Sequence, residues 1–256
     1  MKIMDNYKQT KYGGNMKIYK VSNYEEMSKK AANILAAQIT LKPDSVLGLA
    51  TGSTPLGTYQ ELVKKYENQE LDFSNIKTVN LDDYKGLEPT NPMGYRYYMN
   101  HNLFSKVNIN IQNTFIPNSM TENSEVACAD YNAILEKLGP ADIQMLGLGH
   151  DGHIGFNEPA DSFSEKTVCV DLDERTIEAN QRFFASKKEV PKQAYTMGIG
   201  TIMMAKKILL LVSGEDKAEI LDKVLTASVT PHIPGTILRF HQDVILIADE
   251  AALSGK

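Results

Sequence analysis

The chain has 256 residues, and its 27 Lys and Arg against 32 Asp and Glu give a formal net charge of −5. This mild acidity, without a basic run, is not the charge pattern of a nucleic-acid-binding protein. No apolar stretch reaches the roughly 18 residues of a membrane span, and the polar N-terminus carries no secretory signal. Two cysteines, Cys128 and Cys169, form neither a disulfide framework nor a CxxC metal motif. We therefore expect a cytoplasmic enzyme that binds neither membranes nor nucleic acid.

Residues 1–15 have no apolar periodicity, so we expect a leader or residues added for expression, followed by a single domain over residues 16–256. Strands are predicted at residues 17–21, 46–50, 76–81, 143–148, 208–212 and 244–248. Helices are predicted after a capping box of Ser22 and Glu25, and at residues 56–66, 94–103, 124–138 and 217–225. This alternation predicts an α/β fold with one mostly parallel sheet and helices on both faces. Such sheets bind ligands at the carboxyl ends of their strands.

The strand at 46–50 is followed by the sequence TGSTP and then a helix. Thr54 is suited to be the N-cap and Pro55 the first helical residue. Free N–H groups and hydroxyls at a helix N-terminus favour an anion, so Gly52, Ser53 and Thr54 are candidate phosphate ligands. The alternative is a plain, well-capped turn. The segment is not a Walker A loop, because Thr58 stands where that motif has lysine.

Two adjacent carboxylates, Asp82 and Asp83, follow the strand at 76–81. Taken alone, the pair slightly favours a solvated turn. If the turn is enclosed, burial and the neighbouring charge raise the pKa of one carboxyl, which then suits a general base.

The sequence GHDGHIGFNEP at 149–159 follows the strand at 143–148. Asp151, His153 and Glu158 lie among glycines that serve tight turns. A histidine held between carboxylates has a fixed tautomer and suits proton transfer near neutral pH. The alternative is a histidine that only caps a turn.

Two further interpretations of this segment are disfavoured. The glycines at 147, 149 and 152 match G-x-G-x-x-G, with Asp171 as the acidic ribose ligand, but an NAD-binding motif requires a helix directly afterwards. His150, His153 and Glu158 could ligate a metal, yet nothing marks the helix on which such ligands usually lie.

Two basic residues are candidates for the phosphate. Lys217 follows the strand at 208–212, after a predicted helix cap of Ser213 and Asp216. A lysine in the first turn of a helix opposes the helix dipole, which hints at a functional role. Arg182 is the second candidate. For both, the alternative is an ordinary surface side chain.

Together these motifs resemble the glucosamine-6-phosphate deaminase family over about residues 16–251. The segments that carry the resemblance are ATGSTP (50–55), NLDDY (80–84), GHDGHIGFNEP (149–159), RFF (182–184) and Lys217. The resemblance implies a modified Rossmann-like three-layer sandwich. It also implies a reaction without cofactor or metal, in which D-glucosamine 6-phosphate and water give D-fructose 6-phosphate and ammonia.

The resemblance also implies residue roles. His153 opens the sugar ring, oriented by Asp151 and Glu158, while Asp82 moves a proton from C2 to C1. The remaining site residues bind the substrate: Gly52, Ser53, Thr54, Arg182 and Lys217 at the phosphate, and Gly147 at the sugar.

Some features differ from the allosteric form of this family or leave alternatives open. Val168 and Val170 stand where that form has basic residues, so we expect no activation by N-acetylglucosamine 6-phosphate.

A monomer and a homo-oligomer both stay open. So do a galactosamine 6-phosphate deaminase, a 6-phosphogluconolactonase and a sugar-phosphate sensor, although a sensor would not need the catalytic groups.

Overall fold

A large parallel sheet forms the centre of the computed structural model, which describes residues 16–172, 177–178 and 190–255. The strands in chain order are β1 (Met16–Val21), β2 (Val46–Leu49), β3 (Lys77–Asn80), β4 (Asp82–Tyr84), β5 (Thr114–Phe115), β6 (Ile143–Leu146), β7 (Val168–Asp171), β8 (Gln193–Thr196), β9 (Ile208–Val212) and β10 (Val244–Asp249). Seven of them pair in the order β1-β10-β9-β6-β2-β3-β5, with every adjacent pair parallel. The predicted α/β class with a mostly parallel sheet is confirmed.

Helices cover both faces of this sheet. They are α1 (Tyr24–Leu41), α2 (Ser53–Glu67), α3 (Tyr95–Asn102), α4 (Ser124–Leu138), α5 (Ile199–Met203) and α6 (Ala218–Thr226). Successive residues of a strand point to opposite faces, so Leu209 and Leu211 pack with α1, α2 and α3, while Leu210 and Val212 pack with α4, α5 and α6. A strand buried on both faces is apolar throughout, which is why the ILLLV sequence of β9 was recognisable.

Three predicted helix caps are wrong. The N-cap of α1 is Asn23, which accepts the Glu26 N–H at 2.9 Å, and not Ser22. The N-cap of α2 is Gly52, and no side chain caps this helix. Ser213 donates instead to the buried carboxyl of Asp249, and a 3-10 turn at Glu215–Lys217 precedes α6.

A second, smaller antiparallel sheet has the order β4-β8-β7. Its strand β4 contains Asp82 and Asp83, which are 6% and 2% exposed. The interpretation as a solvated turn is therefore wrong. This sheet was not predicted, because strands of three or four residues with polar side chains lack the periodicity that marks a strand.

Residues 1–15 lie outside the described part of the chain, so the expected leader is not tested. Among the described helices, none combines the length and apolar character needed to cross a bilayer.

Candidate active site

Four adjacent strands, β9, β6, β2 and β3, end at one edge of the large sheet, and the predicted site segments follow these four. The chain continues from β2 to β3 in one direction and from β6 to β9 in the other. Loops that leave neighbouring strands in opposite directions open a crevice between them. The sequence-based placement of the site at this edge is thus consistent with the topology.

The loop after β2 presents backbone donors to this crevice. Gly52 has a φ of 94°, which only glycine adopts without strain. Gly52 and Ser53 are exposed, and Thr54 is half-buried. Because the first N–H groups of a helix have no partner within it, and no side chain caps α2, these donors are available to an anion.

Gly147 brings the loop after β6 close to the same helix. A side chain at Gly147 would lie 3.8 Å from the Thr54 Oγ1 atom, which is ordinary contact. The two loops therefore lie close together, and the backbone of the half-buried Gly147 is within reach of a ligand held by Thr54.

His150 and Asp216 hold Lys217 beside the loop after β6. Its Nζ atom lies 3.0 Å from Nδ1 of His150, and Nε2 of His150 lies 2.7 Å from Oδ2 of Asp216. The network assigns the ring hydrogen to Nε2, so that Nδ1 accepts from the lysine. Burial lowers the pKa of Lys217, while the charges of Asp216 and Asp151 oppose that shift. His150 and His153 thus have separate partners and do not converge as the disfavoured metal site requires.

Asp82 lies on the other side of the crevice in an apolar environment. Tyr84 and Phe156 pack together nearby, and the rings of Tyr95 and Phe156 stack at 6.0 Å. Burial, and to a smaller extent the charge of Asp83, raises the pKa of Asp82 to about 8. A carboxyl with this pKa exchanges its proton near neutral pH.

Asp83 has a different environment, although it is the next residue. Its carboxylate accepts three backbone N–H bonds, from Tyr84 at 2.8 Å, Tyr95 at 2.9 Å and Arg96 at 3.3 Å. Burial still raises the pKa of Asp83 to about 6, against these bonds. Since two of the donors belong to the first turn of α3, Asp83 fixes that helix on the small sheet.

Asp151 and His153 form the pair that the sequence predicted. Nδ1 of His153 lies 2.7 Å from Oδ1 of Asp151, which also accepts the His153 backbone N–H at 3.0 Å. Burial disfavours the charged carboxyl, but the contacts with His153 outweigh it and lower the pKa of Asp151 to about 2. The ring packs against Gly149, where any side chain would collide with it, 2.3 Å from Cε1. Asp151 is therefore ionised and orients the imidazole.

Glu158 ends the same loop and is half-buried. It lines a cleft of about 250 Å³ together with Phe156, Phe163, Val168 and Val170. Its predicted pairing with His153 stays a prediction.

The loop that carries His153 is joined to the small sheet that carries Asp82. The Phe156 N–H donates to Thr196 Oγ1 at 3.0 Å, and Asn157 Nδ2 donates to the Met197 carbonyl at 2.9 Å. Thr196 also pairs with Asp82 in the register of β4 and β8. A side chain at Gly155, whose φ is 60°, would lie 3.4 Å from Asp82 Oδ2.

These contacts assign positioning roles to Thr196 and Asn157, which the sequence analysis did not single out. Asn157 lay within a motif already noted, whereas Thr196 carries no signal in the sequence.

Three predictions about ligands have different outcomes. Arg182 lies outside the described residues. The segment after the G-x-G-x-x-G match forms turns and an isolated bridge between Ile154 and Asn157, so it lacks the helix that NAD binding requires. Across the described residues, no group of three or more His, Cys, Asp or Glu side chains is arranged to hold a metal ion.

Comparison with known families gives a match over most of the chain. Residues 22–246 match the model for glucosamine-6-phosphate isomerases/6-phosphogluconolactonase. The chain belongs to this family. The resemblance found in the sequence is thereby confirmed.

Within this family, the chain is similar to curated glucosamine-6-phosphate deaminases. A glucosamine-6-phosphate deaminase of Clostridium botulinum (strain Kyoto / Type A2) is 53% identical over 239 residues, which is 93% of this chain and 98% of that protein. One of Lachnoclostridium phytofermentans is 51% identical over 232 residues, 91% of this chain and 98% of that protein.

Comparison with solved structures gives the same similarity. A monomeric glucosamine-6-phosphate deaminase has a TM-score of 0.92 at 46% identity, covering 94% of this chain and all (100%) of that chain. A 6-phosphogluconolactonase from Leishmania guyanensis has a TM-score of 0.71 at 20% identity, over 93% of this chain and 97% of that chain, which shows a shared fold alone.

Proposed function

We propose that this chain catalyses the isomerising deamination of D-glucosamine 6-phosphate, giving D-fructose 6-phosphate and ammonia. The observation that carries the proposal is the buried carboxyl of Asp82, which lies against the loop that holds the Asp151–His153 pair, while His150 of the same loop contacts Lys217. The names of relatives that are more than 50% identical over nearly their whole length support the same reaction.

The substrate is held by its phosphate. The N–H groups and hydroxyls of Gly52, Ser53 and Thr54 bind the dianion together with Lys217, and Arg182 adds a second cation. The Gly147 backbone contacts the sugar. Phosphate binding takes place away from the reacting carbons, so its binding energy can position C1 and C2 against the base.

Ring opening comes first. His153 transfers a proton to the ring oxygen as the C1 hydroxyl loses one, which produces the open-chain aldehyde. The ionised carboxylate of Asp151 stabilises the imidazolium that takes part in this step. We assign Glu158 to the same orienting role.

Proton transfer between carbons follows. Asp82 takes the proton from C2 while a proton passes from the substrate ammonium group to the C1 carbonyl oxygen, which gives an enolamine. Asp82 then returns its proton to C1, which leaves a protonated imine at C2. The resulting C2 imine adds water and releases ammonia, so that one amino sugar phosphate and one water give one ketose phosphate and one ammonia. The ammonium group of the substrate, next to C2, favours the carboxylate form that Asp82 needs as a base.

Two observations favour a monomer that is not allosterically activated. The structural relative at 46% identity is described as monomeric. Val168 and Val170, which are half-buried beside the Glu158 cleft, offer no charge to a second phosphate. We propose hyperbolic kinetics that N-acetylglucosamine 6-phosphate does not change.

The decisive experiment measures ammonia and fructose 6-phosphate released from glucosamine 6-phosphate, with a metal chelator present. The proposal predicts both products in a 1:1 ratio. Galactosamine 6-phosphate and 6-phosphogluconolactone are assayed in parallel as alternative substrates. Efficient turnover of either one, with no ammonia from glucosamine 6-phosphate, would contradict the proposal.

A further inference from the structure

Three tyrosine hydroxyls donate hydrogen bonds to backbone carbonyls of the loop after β2. Tyr59 binds the Ala50 carbonyl at 2.5 Å, Tyr98 binds the Gly52 carbonyl at 2.6 Å, and Tyr24 binds the Ser53 carbonyl at 2.8 Å. The three side chains come from α2, α3 and α1 in that order. Side chains from three helices thus hold the carbonyls between the end of β2 and the first residue of α2.

The Tyr24 hydroxyl also makes a second hydrogen bond to the backbone. It accepts the Gly57 N–H at 2.9 Å. Ser53 and Gly57 are four residues apart, so their carbonyl and N–H are an α-helical hydrogen-bonding pair in the first turns of α2. The hydroxyl therefore bridges these two backbone groups at the start of α2.

Gly57 makes that bridge possible. A side chain at this position would lie 2.4 Å from Ser28 Oγ and 3.1 Å from the Tyr24 ring. Because Gly57 has none, α1 packs closely enough on α2 for the Tyr24 hydroxyl to reach the backbone.

The hydroxyls fix the direction of the loop's donors. The C=O and N–H of one trans peptide unit point in opposite directions, and the described chain has no cis peptide. The Gly52 carbonyl shares its unit with the Ser53 N–H, and the Ser53 carbonyl shares its unit with the Thr54 N–H. When Tyr98 and Tyr24 hold these two carbonyls, the two N–H groups point away from the two tyrosines.

We infer that Tyr24 and Tyr98 are positioning residues for the substrate phosphate, which aim the Ser53 and Thr54 N–H groups without touching the anion. The inference rests on the proposed function, because it takes the loop to be the phosphate site of that reaction. Tyr59 belongs to the same arrangement, but it is wholly buried against the core, so its loss would also disturb packing.

The test uses Tyr24→Phe and Tyr98→Phe, which remove only the hydroxyls and keep the rings. Tyr66→Phe is the matched control, since Tyr66 lies at the far end of α2 and packs edge-on against Phe73 at 6.3 Å. Inorganic phosphate is the probe, titrated by calorimetry and by its effect on the thermal midpoint. KM and kcat for glucosamine 6-phosphate are measured beside it.

Each of the two variants is expected to weaken phosphate binding about five- to tenfold, as for loss of one aligned hydrogen bond to an anion site. KM rises by a similar factor, kcat stays within about twofold of the wild type, and Tyr66→Phe changes neither. A general loss of stability would lower the midpoint of the ligand-free protein without this split between KM and kcat.

Phosphate affinity within twofold of the wild type in both variants would overturn the inference, as would a wild type that does not bind phosphate. If the wild type releases no ammonia but both variants still weaken phosphate binding, the positioning role stands and the proposed reaction fails. The two failures are therefore distinguishable.

Discussion

The two ends of the crevice differ in their exposure to solvent. At the end proposed to bind the phosphate (the phosphate end), Gly52 and Ser53 are exposed, and no side chain caps the backbone donors of α2. At the other end, Asp82 is 6% exposed among aromatic rings. An anion site has to exchange its ligand with solvent, whereas a carboxylic base gains a suitable pKa only by losing water. We therefore expect substrate binding and proton transfer to take place in two separate regions of the crevice.

The largest effect is expected from Asp82→Asn, because the amide cannot take the C2 proton. A general base contributes on the order of 10²–10⁴-fold, so kcat should fall by about 10³-fold. Steady-state ammonia release measures the effect.

Asp83→Asn is the matched control for that change. Asp83 is as buried as Asp82, but its oxygens bind the first turn of α3. This variant should keep kcat within about tenfold and lose about 1 kcal/mol of stability as one helix-end contact weakens. Equal kcat losses in the two variants would erase the distinction between the carboxyls.

The next largest effect is expected at the phosphate end. Lys217→Ala removes a charged donor, so KM should rise about 10- to 100-fold while kcat changes much less. Lys223→Ala is the control, since Lys223 lies on α6 and pairs with Glu219 at the surface. A wild-type KM in Lys217→Ala would remove this lysine from the site.

A smaller effect is expected where the loop that carries His153 is joined to the small sheet. Thr196→Val keeps the shape of the side chain but leaves the Phe156 N–H without its acceptor. Stability should fall by about 1–3 kcal/mol, and kcat should drop about tenfold as the His153 loop shifts relative to Asp82.

Thr78→Val tests whether loss of any buried hydroxyl has this effect. The Thr78 hydroxyl is buried and has no hydrogen-bond partner among the described residues, so its removal should leave stability and kcat unchanged. Equal losses in the two variants would show that the contact with Phe156 has no special role.

The last prediction concerns how stability, rather than turnover, depends on pH. The pKa of Asp82 is raised from 3.8 to about 8, so the folded chain keeps a proton that the unfolded chain loses near pH 4. The resulting stabilisation is complete below about pH 4 and is lost as the pH rises to about 8. Relative to Asp82→Asn, the wild type should therefore lose stability over this range. Urea midpoints at pH 5, 6.5 and 8 measure the difference, and Asp83, present in both chains, largely cancels. A constant difference would show that burial does not shift Asp82.

The sequence was most informative where an apolar strand ends. Runs such as residues 46–50 and 143–148 mark buried strands, and the rule that ligands bind at carboxyl ends then pointed to the loops that form the crevice. Local chemistry also predicted the contact between Asp151 and His153, because the two residues are neighbours in one turn.

Contacts between distant segments could not be predicted. Tyr24 and Ser53 are 29 residues apart, Tyr98 and Gly52 are 46 apart, and His150 and Lys217 are 67 apart. The burial of Asp82 is of the same kind, since it depends on a small sheet whose short polar strands have no periodic signal. The environment of a side chain is set by tertiary packing, which a single sequence does not record.

Titration with inorganic phosphate tests the separation of the two ends most directly, using Asp82→Asn, Lys217→Ala and the double variant. If binding and chemistry are separate, Asp82→Asn binds phosphate within twofold of the wild type, and the double variant binds it as weakly as Lys217→Ala alone. If Asp82→Asn weakens phosphate binding as much as Lys217→Ala does, the two ends form one coupled site and the account is contradicted.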